Sequence, residues 1–337
     1  MRGGVNRRRL SALGSLLAVA TSLGAQQSVL MPDSMLVAVP ESSLVESGRA
    51  RVGASGGVLV PTVLLHVSVQ GSIQSARLVT QSSVAGLTFE YVVAGLEKPL
   101  LEEIAQVAQS ELVGRLRRAG LSVSTYDSVA DNSIVRGLRR LAADTSYGAP
   151  VVRGDEGRTV YAIAAPADTQ TFSLDAGGRA GLIRLAKTLG TTIMIPELWF
   201  NAPQLQRTAS MSHGFLLTRM SSGASIAGSM ELNRASLFVV TPAGDTGSIA
   251  LSTPLTGLSD DVGELSPARA DSGAERTARS ATAVRVPGDA GIVVPGIRRD
   301  RTATTEYELV VAPGRYSRAM LRGAASFFQG VAATVPR

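Results

Sequence analysis

The chain has 337 residues, enough for one large domain or for two ordinary ones with tails. Apolar residues make up 45% of it, so a packed core can form, but aromatic residues make up only 4%, so few side chains can stack on bases or sugars. It contains no cysteine and only two histidines, His66 and His213. This composition excludes disulfides, cysteine nucleophiles, iron–sulfur clusters and zinc sites built from cysteine and histidine.

Positive charge is concentrated at the amino terminus. The formal net charge is +6, and the first 25 residues, which contain no acid, hold four of the arginines: Arg2, Arg7, Arg8 and Arg9. The rest of the chain therefore carries only +2, which is ordinary for a soluble domain. This balance indicates no nucleic-acid partner.

Residues 1–25 have the order of a signal peptide. Basic residues in Met1–Arg9 precede the apolar stretch Leu10–Leu23, and Ala25 supplies a small residue for cleavage. The apolar stretch is shorter than the roughly 20 residues that a membrane-crossing helix needs. We therefore expect export, with a periplasmic or secreted mature protein. The alternative is an uncleaved anchor, in which residues 1–25 contact the membrane.

The segment after the signal peptide predicts β-structure. Residues 26–56, rich in Ser, Gly and Val, predict a lead-in with little regular structure. The β-branched run Val58–Gln70 predicts a strand with an edge or bulge at Pro61. Two more strands are predicted, at Ala76–Gln81 and Leu87–Ala94. Residues 26–86 are thus expected to form an amino-terminal extension that contains β-strands.

The clearest helix begins near Pro99 and ends at Gly120. Proline fits a first helical turn, and glycine provides a left-handed stop. Apolar residues recur between them at helical spacings: Leu101, Ile104, Ala108, Leu112 and Ala119. The alternating run Leu121–Thr125 predicts a strand directly afterwards. Together with strand 87–94, this order predicts a parallel crossover.

Further elements are predicted along the rest of the chain. The helices are Ser133–Ala143, one from Asp175 to Gly190, and Arg315–Ala333; the strands are Thr159–Ala165, Thr191–Phe200, Ala224–Thr241, Ser248–Thr253 and Thr305–Val311. A polar loop is predicted at 256–303. Residues 87–255, completed by 304–337, are therefore expected to form an α/β domain. It would have a mixed sheet flanked by about four helices, with an α+β arrangement as the alternative.

Three segments resemble a known domain family. They are the strand Phe89–Val93, the helix end Leu116–Val123 with its L-x-x-x-G-x-x-V spacing, and Leu185–Thr192 with A-x-x-L-G before a strand. These are similar to the periplasmic α/β domain shared by the curli-secretion lipoprotein CsgG and the amino-terminal domain of TolB. The resemblance covers residues 87–252 and 305–333. It implies a non-enzymatic domain that works by docking on envelope partners.

One glycine-serine motif and the two histidines could suggest serine-dependent catalysis. Gly53–Gly57 matches G-x-S-x-G, but a nucleophile elbow needs a strand, a sharp turn and then a helix, and here strand residues follow. We interpret this motif as a flexible glycine turn. His66 lies in an apolar strand pattern and is interpreted as a packed residue, and His213 as a surface loop residue. A Ser-His-Asp triad is therefore not predicted.

A second set of motifs suggests dinucleotide or carboxylate chemistry. Ala176–Gly181 opens a helix and approximates the dinucleotide fingerprint, with Glu197 nearly 20 residues onward, but the preceding residues are too polar for a buried strand. We interpret it as a helix entry with a spare glycine. Four acidic residues could suggest a calcium loop or a glycosidase carboxylate pair and are interpreted as solvated loop acids: Asp260, Asp261, Glu264 and Asp300. Glu102 and Glu103 lie at a helix start and need no further role.

The sequence predicts no catalytic residue, cofactor or metal site. We predict a non-catalytic accessory or scaffold protein of the cell envelope. It would dock on a protein partner or on the periplasmic face of a membrane complex, through strands and loops around 26–86 and 256–303. Two alternatives stay open: a cofactor-free hydrolase of glycans or peptides that uses two carboxylates, and a small-molecule binding module with an apolar pocket.

Overall fold

A computed structural model describes residues 30–50, 57–74, 78–79, 83–154, 158–213, 218–259, 261–267 and 299–335. Their α-helices are α1 (Lys98–Arg118), α2 (Ser133–Arg136), α3 (Ala176–Leu189) and α4 (Pro313–Ala333). Their strands are β1 (Leu44–Gly48), β2 (Val58–Val60), β3 (Leu64–Gln74), β4 (Leu78–Val79), β5 (Ser83–Ala94), β6 (Val123–Thr125), β7 (Val151–Arg153), β8 (Thr159–Ala164), β9 (Thr192–Asn201), β10 (Gln204–His213), β11 (Thr218–Ala227), β12 (Met230–Val240), β13 (Thr246–Leu251), β14 (Leu255–Ser259), β15 (Gly263–Pro267) and β16 (Arg299–Val311).

Fourteen of these strands form one mixed sheet. Its main path runs in the order β1-β13-β12-β9-β3-β5-β16-β15, and the short strands β2, β4, β6, β7, β8 and β14 pair along it. β3 runs parallel to β9 and β5 parallel to β16, whereas β9, β12 and β13 pair antiparallel. The remaining two strands, β10 and β11, form a separate hairpin. The predicted α/β class with a mixed sheet is confirmed.

Helices cover both faces of this sheet. On β9, Met194 and Leu198 join the core that contains α1 and α4, whereas Ile193 and Ile195 join the core that contains α2 and α3. Because successive strand residues point to opposite faces, the two helix pairs lie on opposite sides of the sheet. None of the helices in the described part of the chain has the length and apolar character needed to cross a membrane.

The proline and glycine residues at the predicted helix ends give the positions of α1 and α3 correctly. Pro99 lies in the first turn of α1, and Gly120 adopts φ +93° just after it. α3 ends at Gly190, with φ +64°. The predicted helix at 133–143 is wrong, because α2 has only four residues. It ends at Gly137, a poor helix former, and Arg140 then forms an antiparallel bridge with a distant segment.

The predicted parallel crossover is also wrong. β5 pairs antiparallel with the second half of β3, where Val92 lies opposite Gln70. β6 instead pairs parallel with β2, where Val58 lies opposite Val123. α1 therefore continues in the direction of β5 along the sheet, and only the turn at Gly120 reverses the chain. The predicted strand 58–70 is itself split into β2 and β3 at Pro61, which lacks a backbone donor.

Several segments predicted as irregular pair into the sheet. β1 lies within the predicted lead-in and pairs antiparallel with β13. The predicted polar loop 256–303 contains β15 and parts of β14 and β16, while 268–298 lie outside the described residues. The single strand predicted at 224–241 is two strands, β11 and β12. β1 and the first part of β16 have no long apolar run in sequence, and their partners β13 and β5 come from distant parts of the chain.

Candidate functional site

Several sequence-predicted residues fall outside the described part of the chain or on its edges. Residues 53–56 of the glycine motif and position 260 are not described, and of Asp300 only the backbone strand position is. His213 is the last residue of β10, paired with Thr218, so its assignment to a loop is wrong.

The glycine-rich segment at the start of α3 is a capped helix entry. Oδ1 of Asp175 accepts a hydrogen bond of 2.8 Å from the Gly178 amide. This bond is the main reason that the pKa of Asp175 is lowered, and the charge of Arg139, 2.7 Å away, adds to it. A 3-10 turn, Asp168–Gln170, precedes the helix where a dinucleotide site needs a strand. One detail of the prediction is wrong, because Gly178 is not spare: a Cβ there would lie 1.7 Å from the Ser173 carbonyl oxygen.

Two predicted acidic residues have basic partners. Asp261 forms an ion pair with Arg315 at the start of α4. Glu102 lies 3.7 Å from Lys98, whose ammonium group also contacts Asp168. Within the described residues, no group of three or more histidine or carboxylate side chains is arranged to hold a metal ion.

His66 lies in an aromatic stack at the centre of the sheet. The parallel register of β3 and β9 places it beside Trp199. The two rings are within 5° of parallel, with centroids 3.9 Å apart, and His66 is 4% exposed. Arg234, the neighbour of Trp199 on β12, places its guanidinium carbon 5.3 Å from the centroid of the Trp199 ring. The interpretation of His66 as a packed residue is confirmed.

Glu197 lies beside the buried histidine. Its Oε1 is 3.4 Å from Nε2 of His66. Over the described ranges neither ring nitrogen of His66 has a hydrogen-bond partner, so this contact is electrostatic and lacks hydrogen-bond geometry. A histidine base must hold a hydrogen bond to the hydroxyl it activates, and His66 has none in this arrangement. The stack therefore has the features of a packed core and does not contain a hydrogen-bonded nucleophile–base pair.

The ionisation of this pair follows from its surroundings. Burial lowers the pKa of His66, and the Glu197 carboxylate opposes the shift without reversing it. Burial alone would raise the pKa of Glu197, but the contact with His66 and the charges of Arg234 and Arg179 lower it. His66 is therefore held neutral beside an ionised carboxylate at neutral pH.

The stability of the protein should fall as the pH is lowered through about 6.5, the ordinary histidine pKa. Since the folded pKa of His66 lies below the unfolded one, the unfolded chain binds the proton first. The free energy of unfolding then decreases by up to about 1.4 kcal/mol per pH unit until the folded pKa is reached. His66→Phe keeps a ring on Trp199 and removes the titration. Urea unfolding between pH 5 and 7 should give a flatter profile for this variant, and parallel profiles would contradict the assignment.

Two partly buried carboxylates bear on the hydrolase alternative. Burial raises the pKa of Glu231, as a general acid requires. Its register partner Asn201 lies four residues from Glu197 along β9, which corresponds to about 13 Å at about 3.3 Å per residue. The carboxyl groups of glycosidases lie about 5–9.5 Å apart. The backbone positions of Glu231 and Glu197 are therefore farther apart than the carboxyl groups of a glycosidase pair.

The end of the sheet formed by β5, β16 and β15 exposes one polar face. Register partners share a face, and the pairs Glu90–Glu306 and Val92–Glu308 place four exposed residues together. Val310 joins them through its partner Glu264 on β15. We call these six residues the acidic face: Glu90, Val92, Glu264, Glu306, Glu308 and Val310.

Alternation explains why this face is exposed. The intervening side chains Phe89, Tyr91, Val93, Leu309 and Val311 are all buried. Val92 and Val310 remain 51% and 46% exposed. Among the described residues, none of the four glutamates of the acidic face has an ion-pair partner. The face therefore combines unpaired negative charge with exposed aliphatic surface.

Comparison with known proteins adds no relative to this picture. No family model matches the chain, and no curated protein matches it at a significant level. The functional proposal therefore depends on the surfaces of the chain itself.

Proposed function

We propose that this chain is an exported, non-catalytic docking protein of the cell envelope, which binds a basic segment of a protein partner on the acidic face. The observation that supports this most strongly is the exposure of four glutamates and two valines on one side of β5, β16 and β15. One of the six residues, Glu264, lies in segment 256–303, for which the sequence predicts a docking role, and the other five lie outside the predicted docking segments.

Charge and packing both favour a basic occupant. Glu90 and Glu306 are register partners on neighbouring strands, and like charges in that position repel each other. Lysine or arginine side chains laid across the strands would relieve this repulsion, since long basic side chains combine a cationic head with an apolar stem. Their stems would cover Val92 and Val310.

The amino-terminal sequence supports an envelope location. The basic and apolar order of residues 1–25 is that of an export signal. The likeness of segments around residues 89–93, 116–123 and 185–192 to a periplasmic docking domain points the same way. The hydrolase alternative has less support, because the backbone positions of Glu197 and Glu231 are farther apart than the carboxyl groups of a glycosidase pair.

Site-specific crosslinking tests this proposal. A photo-crosslinking residue at Val92 should attach to one envelope protein, and mass spectrometry should place the adduct in a segment rich in lysine or arginine. The same residue at Val107 on α1, which is 43% exposed, should not form this adduct. A synthetic peptide of the adducted segment should bind the purified protein, with an affinity that falls as salt is added.

Reversing two charges inside the acidic face, and two outside it, provides a matched pair of variants. Glu306→Lys with Glu308→Lys should weaken binding of that peptide at least tenfold, because two attractive contacts become repulsive. Glu41→Lys with Glu103→Lys makes the same change in net charge at exposed sites outside the acidic face and should leave the affinity unchanged. Equal loss in both variants, or an adducted segment without basic residues, would contradict the proposal.

A further inference from the structure

A groove lies between the amino-terminal lead-in, β14 and α4. Its volume is about 400 Å³, within the range of about 300–1,000 Å³ typical of ligand sites. Met31, Met35 and Leu258 provide apolar walls, and Arg315, Arg318 and Arg322 line the side formed by α4. We call this feature the arginine groove.

Hydrogen bonds from Arg322 fix the shape of the arginine groove. Its Nε donates to the Met35 carbonyl at 2.7 Å. Its Nη1 donates to the carbonyls of Gly257 and Leu258 at 3.1 and 3.3 Å. This one side chain therefore ties the lead-in and β14 to α4. The wall at Met31 is held in place as well, because the buried Arg115 donates to the Met31 carbonyl at 2.9 Å.

The charge of the arginine groove is mostly uncompensated. Arg315, Arg318 and Arg322 are spaced three and four residues apart, which places them on one side of the helix. Arg315 is paired with Asp261. Arg322 contacts only carbonyl oxygens, and Arg318 is exposed and has no partner within the described ranges. Two cationic groups thus flank a wall in which Met35 is 46% exposed.

We propose that the arginine groove binds one anionic amphiphile, a molecule with a phosphate or carboxylate head and an alkyl chain. Guanidinium groups bind both kinds of head through paired, charge-assisted hydrogen bonds. The head contacts Arg318 and the free donors of Arg322, and the chain lies on Met31, Met35 and Leu258. The ligand is taken up as a single free molecule, separately from any partner on the acidic face.

Titration with dodecyl phosphate below its micelle concentration tests this site. Calorimetry should show saturable binding of one molecule per chain. Arg318→Gln should weaken it about tenfold, the usual consequence of losing a charged hydrogen bond. Met35→Gln should weaken it about fivefold by removing apolar contact. Arg184→Gln, an exposed arginine on α3, is the control and should bind as the unmodified protein does.

Three further ligands separate the contributions. Inorganic phosphate has the head alone and dodecanol the chain alone, and each should bind at least tenfold more weakly than dodecyl phosphate. Anionic phospholipid vesicles test a membrane surface as the source. Dodecanol binding as tightly as dodecyl phosphate would overturn the proposal, as would equal loss in the Arg184 variant. Binding to vesicles without binding to the monomeric ligand would overturn it too. None of these three results would affect the proposal for the acidic face, which uses other residues.

Discussion

Replacing Arg115 with leucine is expected to destabilise the protein by about 3–5 kcal/mol, the usual consequence of breaking a buried ion pair on one side. The Arg115 side chain is 1% exposed and lies 2.7 Å from Oε1 of Glu111 one turn earlier on α1. Glu111, whose side chain is 9% exposed, would keep its charge without its partner. Burial of an uncompensated carboxylate is the main reason for the expected loss.

Arg115 also connects α1 to two other segments, the lead-in and α4. It donates to Asp33 at 3.0 Å and to the Met31 carbonyl in the lead-in, and it contacts Gln329 on α4. The leucine variant should therefore release residues 31–35 as well as lower global stability. Hydrogen exchange of the Met35 amide, bonded at 2.9 Å to the Pro32 carbonyl, should become faster.

A double variant separates charge from packing. Arg115→Leu with Glu111→Leu removes both charges and should recover most of the stability lost in the single variant. Urea unfolding of the three proteins measures the difference. If the double variant is no more stable than the single one, the hydrogen bonds to the lead-in carry the stability, and the buried charge of Glu111 does not.

The elements that the sequence predicted best are those whose ends depend on neighbouring residues. Gly120 and Gly190 both adopt positive φ just after their helices, and a glycine stop is a local property of the chain. β16 depends on a partner far away, because Arg299 lies opposite Ser83. Its first five residues are mostly polar and contain no apolar run, so the sequence predicts a loop there, whereas the alternating and then apolar run Thr305–Val311 predicts the rest of the strand.

The stack around His66 shows the same limit. The sequence draws attention to His66 and Glu197 separately and gives no signal at Trp199, and only the register of β3 and β9 brings the three together. The register is set by the pairing of the whole sheet, and neither the sequence of β3 nor that of β9 indicates it. The acidic face did have a signal: Glu306 and Glu308 alternate with Tyr307 and Leu309, a pattern typical of a strand exposed on one side.

Two adjacent glycines at the start of α3 should respond in opposite directions to the same substitution. A Cβ at Gly178 would lie 1.7 Å from the Ser173 carbonyl oxygen and 2.7 Å from its carbon. Both are backbone atoms, which cannot rotate away as a flexible side chain can, and they lie two residues before Asp175, whose side chain caps the helix. A Cβ at Gly177 would meet nothing closer than Oδ1 of Asp175, at 3.5 Å, which is ordinary contact.

Gly178→Ala should therefore destabilise the protein by about 3 kcal/mol, at the upper end of overpacking effects. Gly177→Ala should stabilise it by about 0.5–1 kcal/mol, since alanine favours the helix and restricts the unfolded chain. Urea unfolding of the two variants compares them directly, because both add one methyl group to neighbouring positions of the same helix. Equal effects would mean that helix propensity alone decides both positions and that Ser173 does not approach Gly178 closely in solution.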